Sequence, residues 1–294
     1  MLRFHVTDFN LQHTLECGQV FRWRRNGRGY VGVVGDSIWR ISQEGGSLFV
    51  ETDPPVSEEK VLQYFSLSLD LSKLVEPLQE DPILRPALQE FWGLRILNQD
   101  PWECLASYIF SSFNNVPRIR CLVENLSLRF GTPVGLNGSL RYTFPTAGRL
   151  ASLTPEELRP IRPGFRDRYL LETARKIAEG RFDLEKLRHM KTAEAREMLL
   201  TLPGVGEKVA DCVLLFSLGK NDAFPVDVWI ERALRKFYFR GRRRTLRKMQ
   251  RFAQKRFGAA AGYAQEYLYA YARRHLDQRP KTKDSESSAF SLMS

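Results

Sequence analysis

Two residues of this chain have the types and settings to do covalent chemistry: an amine, Lys208, and a carboxylate 19 positions later, Asp227. Lys208 lies in Leu202-Pro203-Gly204-Val205-Gly206-Glu207-Lys208-Val209-Ala210-Asp211-Cys212, after an apparent helix from Thr192 to Leu200. Gly204 and Gly206 can take positive φ and bring backbone close to a partner, while Val205 can anchor the turn in the core. The helix that follows presents free N–H groups and the positive end of its dipole, a site for a phosphate. In its first turn that dipole and partial burial both disfavour an ammonium, so Lys208 is expected as a neutral amine, a nucleophile that can form a Schiff base with an aldehyde. Asp227 closes Phe224-Pro225-Val226-Asp227 as a helix N-cap, a sufficient structural reason for it. A carboxylate there can also stabilise an oxocarbenium-like sugar. A bare Gly-x-Gly turn would sooner serve packing; the full Leu-Pro-Gly-Val-Gly context favours a helix-hairpin-helix.

The turn resembles the helix-hairpin-helix of DNA-binding proteins, and its spacing to Asp227 resembles the glycosylases in which a lysine and an aspartate face one another. Further motifs narrow the resemblance to the 8-oxoguanine DNA glycosylase family, over roughly Phe4 to His275. Cys17-Gly18-Gln19-Val20-Phe21-Arg22-Trp23 is similar to the family segment whose glycine carbonyl accepts a hydrogen bond from N7–H of the oxidised base. Guanine has a lone pair there, and an acceptor facing it is desolvated and repelled. Gly262-Tyr263-Ala264-Gln265-Glu266-Tyr267-Leu268-Tyr269 resembles the segment whose glutamine reads the base edge and whose aromatic residue stacks on it. Gln265 and Tyr269 share one helix face. Cys212, four residues after Lys208, matches a thiol that packs on the other face of the base.

Two more segments resemble the part that holds the widowed base: Ser111-Ser112-Phe113-Asn114-Asn115-Val116-Pro117-Arg118 and Gly164-Phe165-Arg166-Asp167-Arg168-Tyr169. The resemblance implies that Asn114, Asn115, Arg118 and Arg166 face cytosine and that Phe165 wedges into the stack. Phe113 stands where the family pattern has an asparagine, so discrimination for cytosine is expected to weaken. Trp229 stands where a histidine often contacts phosphate. The resemblance implies no cofactor for the chemistry, although the carbonyls of Leu200, Leu202 and Val205 would hold a structural cation.

These residues need elements to position them. From Val20 to Glu51, β-branched and aromatic residues alternate with turn signals at Asn26-Gly27, Gly35-Asp36 and Gly45-Gly46, which predicts an antiparallel meander. After Pro54-Pro55 the period becomes helical, with Val61, Tyr64, Phe65 and Leu69 recurring at helical spacing, and similar patterns continue to about His275. The expected class is α+β: a small N-terminal antiparallel sheet domain (1–92), an all-helical body (93–276) carrying the hairpin, and a disordered tail (277–294) too poor in apolar residues to fold.

Of the 45 Lys and Arg residues, 12 fall between Arg232 and Arg256, a window with no Asp or Glu, so this segment carries the net charge of +11. Localised positive charge suggests a polyanion, here double-stranded DNA, with a solvated helix face as the bland alternative. Cys17, Cys104, Cys121 and Cys212 are widely spaced and read as reduced thiols, so no iron-sulfur cluster is expected. His5, His13, His189 and His275 suggest no metal pair. No apolar run approaches the roughly 18 residues of a membrane span, and the chain is expected to be an intracellular monomer, in the cytoplasm or nucleoid if bacterial and in the nucleus if eukaryotic. Two other functions fit parts of this pattern: removal of alkylated bases by an aspartate and water, and non-catalytic DNA binding through phosphate contacts. Lys208, Gly18 and Gln265 speak against the first, and the Lys208 and Asp227 pair against the second.

Overall fold

The structure, a computed structural model, describes residues 1–276; the tail expected over 277–294 lies outside the described residues. Five antiparallel strands, β1 (Leu2–His5), β2 (Arg24–Asn26), β3 (Gly29–Val34), β4 (Ser37–Glu44) and β5 (Ser47–Asp53), lie in the order β1-β5-β4-β3-β2. β2 to β5 are the expected meander. Its turns, Gly27-Arg28, Gly35-Asp36 and Gly45-Gly46, each begin on a residue with positive φ, as tight hairpins that follow the strand twist require. β1 is an addition: its four residues pair with β5, Leu2 opposite Val50, and are too few for alternation to stand out. On one face of the sheet Trp23, Trp39, Tyr64 and Phe65 build a core under the helices Leu11–Glu16 and Glu58–Tyr64.

The expectation of an all-helical remainder needs one correction. A hairpin of β6 (Pro133–Leu136) and β7 (Ser139–Tyr142) turns at Asn137-Gly138, both with positive φ. It lies on the outer face of the sheet, where Leu136 joins Val31, Val33 and Ile38 and Asn137 Nδ2 donates to Glu51 Oε1 at 2.7 Å. β3 is therefore buried along its whole length, and reads as a continuous apolar run.

A second, larger core joins the helices. It begins before residue 92: Leu71, Val75, Leu78, Leu84 and Leu88 share it with the helices Pro101–Ile109, Glu207–Ser217 and Ala261–Leu276, and so do Cys17 and Phe21. The loop that carries Gly18 is thus built into the helical body. Helix Glu207–Ser217 is buried from Val209 onward. It meets the C-terminal helix Ala261–Leu276 at Gly262, where a Cβ would lie 2.2 Å from Leu215 Cδ1 and 2.9 Å from Asn221 O. Only a glycine allows that approach, and it sets the height of Gln265 and Tyr269 one and two turns further on.

Candidate active site

The hairpin joins the helices Thr192–Leu200 and Glu207–Ser217. Gly204 has φ +76°, and a Cβ on it would lie 2.7 Å from Tyr169 Cβ, so the turn is pressed onto the helix Arg166–Ala178. Thr173 Oγ1 adds a hydrogen bond to Pro203 O at 3.0 Å. Gly206 departs from expectation: its φ of −100° is ordinary extended backbone, and nothing lies within 4 Å of the place its Cβ would take. Its value is open space, not backbone freedom. No side chain caps the helix there, so the first-turn N–H groups keep their capacity for an anion.

In the first turn, Lys208 reaches from this helix toward Pro101–Ile109. Its Nζ donates to Ser111 Oγ at 2.9 Å and stands 4.7 Å from the centre of the Tyr108 ring. Asp227 caps the helix Val228–Phe237, its Oδ1 accepting the N–H groups of Trp229 at 3.0 Å and Ile230 at 2.8 Å. Burial pushes the Asp227 carboxyl above its ordinary range, against the Ile230 and Trp229 hydrogen bonds and the attraction of Lys208 and Arg273. The amine and the carboxylate therefore feel one another, and both side chains are only half-buried. Cys212 faces the pair: burial pushes its thiol up to about 12, while Lys208 pulls it down and Asp227 adds to the rise.

Across from them stand the residues of the expected base pocket. Gly18, at φ +106°, packs against Tyr269, whose hydroxyl would be 3.4 Å from a Cβ at that position. The turn is held from behind, because Gln99 Nε2 and the Tyr108 hydroxyl donate to Gln19 O at 2.9 and 3.1 Å. Gln265 is 4% exposed, and its Oε1 has no hydrogen-bond partner. A buried amide oxygen without a donor is costly, and a base edge could supply one. Two surface clefts, of about 400 and 390 Å³, lie elsewhere, with Trp92 in the lining of one and Arg95 in that of the other.

The residues expected to hold a widowed base gather at one edge, and they brace one another. Arg166 donates to Ser112 O at 2.9 Å, to Phe113 O at 3.2 Å and to Pro163 O at 3.1 Å, while Arg118 donates to Arg162 O at 2.9 Å. Asn114 Nδ2 donates to Phe110 O at 3.0 Å, and Asn115 Oδ1 caps the helix Val116–Phe130 through Arg118 N at 2.9 Å. Two aromatic side chains project from this edge, Phe113 at 97% and Phe165 at 53% exposure. Arg166 lies 4.4 Å over the Phe165 ring.

Sequence reasoning missed Tyr108, Ser111, Glu266 and Arg273. Each meets the site through contacts from distant parts of the chain, and only Arg273, one turn after Tyr269 and 5.6 Å over its ring, carries a periodic signal. Among the described residues no group of three or more His, Cys, Asp or Glu side chains could hold a metal ion, and no helix is long and apolar enough to cross a membrane.

Residues 1–105 match the family model of the 8-oxoguanine DNA glycosylase N-terminal domain, and residues 106–259 that of the HhH-GPD superfamily of base excision DNA repair proteins. The probable N-glycosylase/DNA lyase of Methanothermobacter thermautotrophicus is 34% identical over 93% of this chain and 96% of its own. The N-glycosylase/DNA lyase OGG1 of Arabidopsis thaliana is 31% identical over 91% of this chain and 78% of its own. Among solved structures, the 8-oxoguanine glycosylase/lyase of Clostridium acetobutylicum, in complex with duplex DNA carrying cytosine opposite 8-oxoguanine, superimposes with a TM-score of 0.86 at 34% identity. That match covers 91% of this chain and 92% of that one.

Proposed function

The chain belongs to the HhH-GPD superfamily of base excision DNA repair proteins, in its 8-oxoguanine DNA glycosylase branch, and on that premise we propose how its residues carry out the reaction. It is a bifunctional glycosylase and lyase that excises 8-oxoguanine from duplex DNA and then nicks the strand. One observation carries the assignment of the site: an amine and a carboxylate that feel one another, both half-buried, beside a buried amide oxygen with no partner.

The everted base enters between Cys212 and Tyr269, and the Tyr269 ring yields its contact with Gly18 to make room. Gln265 Oε1 then accepts from the base edge, and the Gly18 carbonyl accepts from N7–H. Lys208 leaves Ser111 Oγ, gives a proton to water and attacks the anomeric carbon as the bond to the base breaks and its electron pair departs with the base. Asp227 stabilises the cationic character of the sugar in that state. The ring-opened sugar holds Lys208 as a Schiff base, and loss of a proton from the neighbouring carbon expels the 3′ phosphate by β-elimination.

Outside the slot, the free N–H groups around Gly204 and Gly206 receive a backbone phosphate, and the carbonyls of Leu200, Leu202 and Val205 would hold a structural cation, which would supply positive charge to offset that of the phosphate. Leu202 O accepts the Val205 N–H at 3.2 Å, which leaves it a second lone pair for an ion. Phe165 fills the gap left in the stack. Asn114, Asn115, Arg118 and Arg166 face the widowed base, the arginines exchanging loop carbonyls for its acceptors. With Phe113 in place of an amide, the preference for cytosine is shallow. The protein works as a monomer on DNA inside the cell.

Borohydride trapping on duplex carrying 8-oxoguanine tests the central assignment. Wild type is expected to form a covalent adduct with the DNA and Lys208→Gln none; a Lys208→Gln protein that still cross-links and nicks overturns it.

A further inference from the structure

The mechanism above leaves one buried carboxyl without a task. Glu266 follows Gln265 on the C-terminal helix, is 3% exposed, and has an Oε2 with no hydrogen-bond partner. Its carboxyl meets the Cys17 thiol and lies close enough to Asp227 to be repelled by it. Cys17 is otherwise held by the Thr14 carbonyl, to which its thiol donates at 3.3 Å, and by Gln19 Nε2 at 3.3 Å. Glu266 therefore joins the two walls of the slot: the turn that carries Gly18 and the helix that carries Gln265 and Tyr269.

A carboxylate in such a place is costly, since burial disfavours the charge and one oxygen is orphaned. Burial is the largest cause that pushes this carboxyl up to about 8; the Cys17 hydrogen bond opposes the rise and the Asp227 charge adds to it. The other titratable groups that feel Glu266 are Tyr108 from the helix Pro101–Ile109, Cys212 from the lysine helix, and Tyr263 and Tyr269 from its own helix. All are acids that are neutral when protonated, and burial pushes every one of them up.

We propose that Glu266 is a positioning residue that works as a neutral acid: through Cys17 it fixes the Gly18 turn against the base-reading helix, and by staying uncharged it leaves Asp227 as the slot's single negative charge. The inference rests on the glycosylase reading of the slot. Ionisation of Glu266 places a second negative charge beside Asp227 and so opposes the ionised form of Asp227 that stabilises the sugar. It also drives the Glu266 carboxylate to seek water, which loosens the turn.

The test compares wild type, Glu266→Gln and Glu266→Leu as full chains, by single-turnover excision of 8-oxoguanine from pH 6 to 9.5 and by carbon NMR of glutamate-labelled protein without DNA. The wild-type rate is expected to fall with a midpoint near 8, a fall that Glu266→Gln abolishes while keeping within about threefold of wild type at pH 7. Glu266→Leu is expected to lose about tenfold or more at pH 7 and to narrow the preference for 8-oxoguanine over guanine. Parallel alkaline falls in wild type and Glu266→Gln overturn the proposal. So does a Glu266 resonance that titrates in the ordinary carboxylate range, a readout that needs no activity and stands even if Glu266→Leu does not fold. Failure of the glycosylase reading itself shows separately, as a wild-type protein that excises no 8-oxoguanine at any pH.

Discussion

Asp227 carries two duties on one side chain, and they can be separated because an amide can perform only one of them. Its Oδ1 caps a helix by accepting two N–H groups, and an asparagine caps about as well as an aspartate. Asp227→Asn should therefore fold with a thermal midpoint no lower than wild type, bind lesion DNA within about threefold, and lose on the order of 100-fold or more in single-turnover rate, the usual scale for removing one electrostatic stabiliser. Loss of binding and turnover together would point to a structural role alone. The direction of its titration gives a second expectation. Burial raises this carboxyl, and the reaction needs the ionised form, so activity should disappear on acidification with a midpoint above the 3.8 of an ordinary aspartate. A rate that stays level down to that value excludes Asp227 as the required anion. At this scale the sequence makes legible the residues whose neighbours in the chain explain them: Lys208 at a helix start, Asp227 at a cap, Gln265 and Tyr269 one turn apart. Ser111 and Tyr108, which hold the Lys208 amine from another helix and the turn that follows it, have no local pattern to reveal them.

The elements that aim these side chains depend on backbone approach more than on propensity, and the two hairpin glycines show the difference. Gly204 occupies the left-handed region with Tyr169 pressed against it, whereas Gly206 is extended and unobstructed. Gly204→Ala pairs a conformational cost of about 1–2 kcal/mol with a contact that must shift, while Gly206→Ala has neither. The first should lower the thermal midpoint by at least about 3 °C, taking roughly 2–4 °C per kcal/mol for a domain this large, and the second by less than about 1 °C. Gly206→Ala should instead weaken DNA binding, because its methyl group occupies the space a phosphate needs; equal binding by Gly206→Ala and wild type would remove the hairpin from the DNA interface. The Gly-x-Gly pattern alone treats these residues alike. The Asn137-Gly138 hairpin was readable from its turn but sits within helical sequence, and its apolar partners Val31, Val33 and Ile38 lie about 100 residues away, beyond any local period. The meander was readable because each strand is followed at once by its own turn.

Across the molecule, charge and chemistry occupy neighbouring places. The basic window contributes the helix Leu246–Phe257, and Gln250 on it donates to Glu207 Oε2 at 3.3 Å and Asp211 Oδ2 at 3.1 Å, on the lysine helix just behind the hairpin. Arg247, one turn before Gln250 on that side of the helix, is exposed, as are Arg251 and, in the preceding loop, Arg240, Arg242, Arg243 and Arg244. The helix of the basic window thus meets the lysine helix beside the hairpin, and its exposed arginines offer a path for the duplex that reaches Lys208. Exposed cations of this kind bind by releasing counterions, and each phosphate contact steepens the fall of log K with log salt by about 0.9. The triple substitution Arg242→Gln, Arg243→Gln, Arg244→Gln should flatten that slope by about 2 to 3 and weaken binding alike for lesion and undamaged duplex, since phosphate contacts carry no sequence information. Excision at saturating DNA should stay within about twofold of wild type, because none of the three lies in the slot. A slope that does not change would mean that this loop is a solvated surface and that the duplex leaves the protein at the hairpin.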